Sequence, residues 1–146
     1  MGVRVTEITA ADTHDLRRRV LRDGRSDAVV SFPQDELPGC FHLGAFQADQ
    51  LVAVATFFPD PLDARPGARA VRLRGMAVDP AAQGSGVGRA LLDAAIALLR
   101  LEDVAVVWAH GRDTALGFYQ RLGWHVHGDA FTENNLPHHT VVLDLP

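Results

Sequence analysis

The segment Gln83-Gly84-Ser85-Gly86-Val87-Gly88 sets three glycines in six residues, after an apolar stretch and before a long run of Ala and Leu. The stretch before it, Ala70–Val78, reads as a strand ended by Asp79-Pro80, because proline restricts its predecessor and has no N–H. The run after it, residues 85–100, reads as a largely buried helix with Arg89, Asp93 and Arg100 on one narrow face. Glycines lack a Cβ, so a ligand can approach their backbone and unusual φ values cost little. The first N–H groups of a helix have no intrahelical partner and sit at the positive end of its dipole. A strand, such a loop and a helix together make a site for a phosphate or pyrophosphate.

Two nucleotide motifs fail on this loop. In a G-x-G-x-x-G fingerprint starting at Gly84 the third glycine falls on Arg89, and a Walker loop needs a lysine that the chain does not have. A plain structural turn is the remaining alternative.

Working outward, residues 41–47 and 51–58 read as a hairpin turning at Ala48-Asp49-Gln50, stopped by Pro59-Asp60-Pro61. Val3–Ile8 alternates like a half-buried strand. Residues 9–24 follow as a helix carrying Leu16, Val20 and Leu21, and residues 25–39 as loop or short helix. Downstream come an interior strand over 104–109, a helix over 113–122 capped by Gly123, and strands over 125–131 and 139–145. The turn Glu133-Asn134-Asn135-Leu136-Pro137 separates the last two. This order describes a single mixed-sheet α/β domain over 1–146.

Composition bounds the function. The net charge is −4 with no long basic run, so nucleic acid is not an expected partner. Arg17-Arg18-Arg19 is expected to be a solvated helix face. No apolar run approaches the ~20 residues of a membrane span, and the first residues lack a signal-peptide stretch, so a cytoplasmic location without membrane contact is expected. All fourteen Lys and Arg residues are arginine, a compositional hint of a GC-rich bacterial source. Lone Cys40 has no internal disulfide partner and no activating neighbour in sequence. His125, His127, His138 and His139 invite a zinc reading, but without cysteine or a matching carboxylate pattern exposed strand histidines are simpler, and no metal is expected.

Three segments together resemble one family. Leu73-Arg74-Gly75-Met76-Ala77-Val78-Asp79-Pro80 resembles the central strand of the GNAT superfamily of N-acetyltransferases, and residues 83–88 its Q/R-x-x-G-x-G/A loop. Ala115-Leu116-Gly117-Phe118-Tyr119-Gln120-Arg121-Leu122-Gly123-Trp124 resembles its A-x-x-F-Y-x-x-x-G-F motif. The resemblance implies a mostly antiparallel sheet of about seven strands flanked by helices, splayed between the central strand and the strand after the Gly-loop helix. It implies that acetyl-CoA is the co-substrate, its pyrophosphate on the amides of Gln83, Gly84, Ser85, Gly86, Val87, Gly88 and Arg89. Its pantetheine arm would pair with Met76, Ala77 and Val78, and Tyr119 would be the general acid.

The chemistry fits those residue types. Amine attack on a thioester creates an oxyanion, best met by a fixed donor such as the Met76 amide, and expels a thiolate that a nearby phenol can protonate. Packing of the helix on the sheet is the alternative role for Tyr119, one that Phe118 is expected to fill. The amine also needs a base. The family often has a glutamate on the central strand where this chain has Arg72 and Arg74, so the base is unassigned. Glu133, His138, His110 and Asp35 are candidates by residue type, and Arg72 or Arg74 is a candidate partner for an acceptor carboxylate. The expected activity is acetyl transfer to a primary amine of a small molecule or peptide, by a monomer or homodimer. The alternatives are a CoA-binding sensor without turnover and a non-enzymatic α/β interaction domain.

Overall fold

β-Branched and aromatic residues between turn formers build seven strands, and a computed structural model describes residues 2–146. The strands are β1 Val3–Ile8, β2 Phe41–Gln47, β3 Gln50–Pro59, β4 Ala70–Val78, β5 Val106–Arg112, β6 His125–Glu133 and β7 Leu136–Asp144. They form one mixed sheet in the order β1-β2-β3-β4-β5-β7-β6. The helices are α1 His14–Leu16, α2 Val87–Leu101 and α3 Leu116–Arg121. None of the described helices is long and apolar enough to cross a membrane.

The chain divides into two compact units, Met1–Phe58 with Arg74–Leu99, and Pro59–Leu73 with Arg100–Pro146. In the first unit β1 pairs antiparallel with β2 and β2 with β3, with a register shift between Ala45 and Phe46. The hairpin turn is shorter than its sequence suggests. Gln50 joins β3, and Ala48 alone takes a left-handed φ of 53°. Leu16, Val54 and Ala77 form a buried cluster on which Ile8, Val20 and Leu21 lean.

The expected helix over 9–24 is helical only between Ala11 and Leu21, and its winding changes twice. A 3-10 turn over Ala11–Thr13 leads into α1, and a π-turn over Arg17–Leu21 follows. The chain then leaves through Asp23 and Gly24 at positive φ. The helix after the glycine loop also differs from expectation. It begins at Val87, because Gly84 and Gly86 are left-handed at φ 81° and 87° and cannot lie in a right-handed turn. It is buried on one face, through Val87, Leu91, Leu92, Ala95 and Leu99, while Leu98 and Leu101 are exposed beside Arg89, Asp93 and Arg100.

In the second unit β4 runs parallel to β5 over Ala70–Leu73 against 106–109, and β7 is antiparallel to both β5 and β6. Leu62, Ala70, Val106, Trp108 and Val142 form its core cluster. Burying each large apolar side chain is worth roughly 1.5–3 kcal/mol. β5 starts two residues later than its apolar pattern suggests, since Val104 is buried ahead of the strand. The last hairpin closes on Asn134-Asn135 alone, both left-handed, and Leu136 and Pro137 lie in β7 opposite Glu133 and Thr132.

Candidate functional site

The glycine loop is built from the end of β4 outward. Asp79 closes the strand: its N–H donates to the Val52 carbonyl at 2.8 Å, its carboxylate accepts from the Ala81 N–H at 3.0 Å, and Arg19 lies 3.3 Å away. A 3-10 turn over Pro80–Ala82 follows, and the Gln83 side-chain Nε2 donates back to the Val78 carbonyl at 3.3 Å. Ser85 Oγ donates to the Ala82 carbonyl and accepts from Gln47 at 3.3 Å. Gln83, Gly84, Ser85 and Gly86 are exposed, and a Cβ at Gly84 or Gly86 would meet nothing within 4 Å. The first α2 bond here runs from the Ala90 N–H to the Gly86 carbonyl at 3.0 Å, so the amides of Val87, Gly88 and Arg89 precede it. Val87 and Gly88 are buried, so the exposed part of this segment is residues 83–86. Arg89 is exposed and sits 3.6 Å from Asp93.

Within β4, Gly75 has φ 66° in mid-strand, and a Cβ there would lie 2.6 Å from the Phe32 ring. This breaks the strand's pleat just before Met76, Ala77 and Val78. Ala77 is buried, and its two neighbours are partly exposed.

Beside that kink lies a network the sequence concealed. Arg17, expected on a solvated face, is 1 % exposed. Its guanidinium donates to the Val30 carbonyl at 2.8 Å, to both Asp35 oxygens at 2.9 and 3.0 Å, and to Thr56 Oγ1 at 2.7 Å, and it lies 3.8 Å over the Phe32 ring. Its partners are 13 to 39 residues away, so no local pattern announces them. Burial works to raise the Asp35 pKa, but hydrogen bonds from Arg17 and the Phe32 amide outweigh it and hold the carboxyl below its ordinary value. Asp35 is therefore engaged in this ion pair rather than waiting as a base. His42 Nδ1 bonds Thr56 at 2.7 Å, and the Cys40 thiol is pushed up to about 11, first by burial and then by Asp35. Asp35, Cys40 and His42 bring ligand atoms within 4.8 Å of one another. With both Asp35 oxygens on Arg17 and Nδ1 on Thr56, this set suits the ion pair better than a cation. Arg74 lies over the same Phe32 ring at 4.1 Å and donates to Gln34 at 2.7 Å.

In the second unit the structure brings together Arg72, His110, Glu133 and His138, named by the sequence without any sign of their proximity. His110 Nδ1 lies 3.0 Å from Arg72 Nη2 and 3.0 Å from Glu133 Oε1. His138 is 3 % exposed, against the expectation of an exposed strand histidine. Its Nδ1 donates to the Leu136 carbonyl at 2.8 Å, and its Nε2 is 3.7 Å from Glu133 Oε2. Trp108 and Phe131 flank the His110 ring, and Asp60 lies 3.7 Å from Arg72. Burial lowers the His110 pKa, the Glu133 hydrogen bond opposes this, and the Arg72 charge reinforces it. For Glu133, burial is outweighed by the His110 hydrogen bond and the nearby positive charges, so its pKa is lowered. His139 belongs elsewhere, on Asp113 at 2.7 Å, while His125 and His127 are exposed.

Tyr119 is buried at 7 % exposure, its ring against Trp124 and Phe118 and over Gly111, where a Cβ would touch it at 3.4 Å. Phe118 is only partly buried, so Tyr119 takes the larger share of the packing. Burial pushes its phenol up to about 12.

A family model described as acetyltransferase (GNAT) family matches residues 9–124. An uncharacterized N-acetyltransferase of Bacillus subtilis (strain 168), YitI, is 33% identical over 138 residues, covering 94% of this chain and 93% of its own length. An acyl-CoA N-acyltransferase from Pseudomonas aeruginosa has a similar fold at TM-score 0.75 and 22% identity, covering 97% and 99% of the two chains. An aminoglycoside 6'-N-acetyltransferase complexed with coenzyme A superposes at TM-score 0.78 and 14% identity, covering 98% of each.

Proposed function

The chain belongs to the acetyltransferase (GNAT) family, and from that premise we propose that it moves an acetyl group from acetyl-CoA to a primary amine by direct attack on the thioester. Family membership makes acyl transfer from CoA the activity class. The choice of acetyl-CoA and of a small-molecule or peptide amine goes further. The observation that carries the donor reading is the exposed loop 83–86, whose two left-handed glycines lead into the free amides of α2. Such a helix start favours a pyrophosphate. Met76, Ala77 and Val78 are assigned to the pantetheine arm, and Tyr119 to protonation of the leaving thiolate. A phenol with pKa near 12 is protonated at neutral pH, as a proton donor must be.

The test is a thermal shift with acetyl-CoA, CoA and ATP, followed by thiol release across a panel of amines. Stabilisation by both CoA species but not ATP, with thiol release for some amines, is the expected result. Gly86→Val should weaken CoA binding at least tenfold, because a side chain at φ 87° strains the loop while meeting no neighbour. No shift with either CoA species would overturn the reading.

A further inference from the structure

The Nδ1 atom of His110 stands 3.0 Å from a group that can only donate, the Arg72 guanidinium, and 3.0 Å from one that can only accept when ionised, the Glu133 carboxylate. A single ring nitrogen cannot satisfy both at once. With a proton on Nδ1 the ring donates to Glu133 and leaves Nε2 bare and basic. Without it, Nδ1 accepts from Arg72 and the proton sits on Nε2. Both arrangements use the same atomic positions, so the proton can change nitrogens with no rearrangement of the cluster. Successive side chains of a strand point to opposite faces. A Cβ on Gly111 would point at Tyr119, so His110 faces away from α3, on the side carrying Trp108 and Arg72. The ring remains partly open there, with a side-chain exposure of 26%.

We propose that His110 is the group that takes the proton from the acceptor's ammonium, with Glu133 fixing its tautomer and Arg72 covering the nitrogen when it is bare. This rests on the acetyltransferase reading. The acceptor arrives as an ammonium, since simple amines have pKa values of ~10. It gives one proton to Nε2, forming a neutral amine and an imidazolium. The amine lone pair then forms the C–N bond and the C–S bond breaks; Tyr119 protonates the thiolate to give free CoA and regains its proton from the nitrogen, which becomes the amide. One proton per turnover is left over; it leaves from Nδ1 through Glu133 to water, and water then carries the ring's remaining proton from Nε2 to Nδ1, restoring the starting tautomer. The charged groups around His110 are Arg72 on β4, Glu133 on β6 and His138 on β7, with Asp60 beyond Arg72. Burial favours the neutral ring, the form that can accept a proton.

Two measurements test this. Nitrogen NMR of histidine-labelled protein, with no ligand, should show His110 with its proton on Nδ1, and Glu133→Ala should move that proton to Nε2. A ring held only by packing would keep one tautomer in both. In kinetics, His110→Gln should lower thiol release about 100-fold at pH 7. The loss should shrink as the pH approaches the amine's own pKa, while acetyl-CoA still raises the melting temperature as in the wild type. An unmoved tautomer, or a His110→Gln rate equal to wild type across pH, would overturn the assignment and leave the acetyltransferase reading intact. Absence of any acetyl-CoA shift in the wild type would instead count against the reading itself.

Discussion

Arg17 and Asp35 meet through two parallel N–H···O bonds of 2.9 and 3.0 Å, with side chains only 1% and 3% exposed. Replacing a buried pair by matched apolar groups can be neutral, but removing one partner leaves a charge stranded out of water. Arg17→Met should therefore cost about 3–5 kcal/mol in urea unfolding. The depressed Asp35 pKa contributes stability that is complete above its unfolded value and lost as pH falls through its lower folded value. Asp35→Asn should flatten that acid limb of the stability curve, and an unchanged limb would remove Asp35 from it.

Gly75 offers a second check. Its φ of 66° and the Phe32 ring 2.6 Å from the position of a Cβ both exclude a side chain. Gly75→Ala should destabilise the fold by about 1–3 kcal/mol. If Met76–Val78 hold the pantetheine arm, it should also weaken CoA binding, measured by calorimetry at a temperature where the variant is folded. Normal affinity in a folded Gly75→Ala protein would dissociate the kink from the cofactor.

Tyr119→Phe separates the phenol oxygen from the ring. The ring's contacts with Trp124, Phe118 and Gly111 are kept, so the melting temperature should stay close to wild type. Thiol release should fall about 100-fold. With its folded pKa raised to about 12, Tyr119 contributes stability that is full below its unfolded pKa and lost as pH rises from ~10 through 12. That alkaline loss should disappear in Tyr119→Phe. A variant that keeps full activity would reduce Tyr119 to packing.

The strands were the legible part. Alternation marks β1, the turn after Gln47 ends β2 and Asp79-Pro80 ends β4 at their observed bounds, because those signals are local. The glycine loop was legible for the same reason, as its backbone needs are written into Gly84 and Gly86. What sequence hid was long-range. Arg17-Arg18-Arg19 looks solvated until Asp35 and Thr56 are folded onto Arg17, and His110, Glu133 and Arg72 come from three separate strands. The final turn was overdrawn. Asn134-Asn135 suffices, since asparagine tolerates the left-handed conformation and the prime-type hairpin turns it builds.

The break in register between His127 and Phe131 also bears on how this molecule behaves among its own copies. β6 is the last strand of the sheet, and nothing further pairs along its outer side in the described chain. Open rims of this kind template aggregation unless they are interrupted. Here Gly128 turns left-handed at φ 78°, and residues 127–130 stand exposed with Asp129 among them. The rim is thereby interrupted in mid-strand, which is one of the ways an open edge is blunted against pairing with a neighbour.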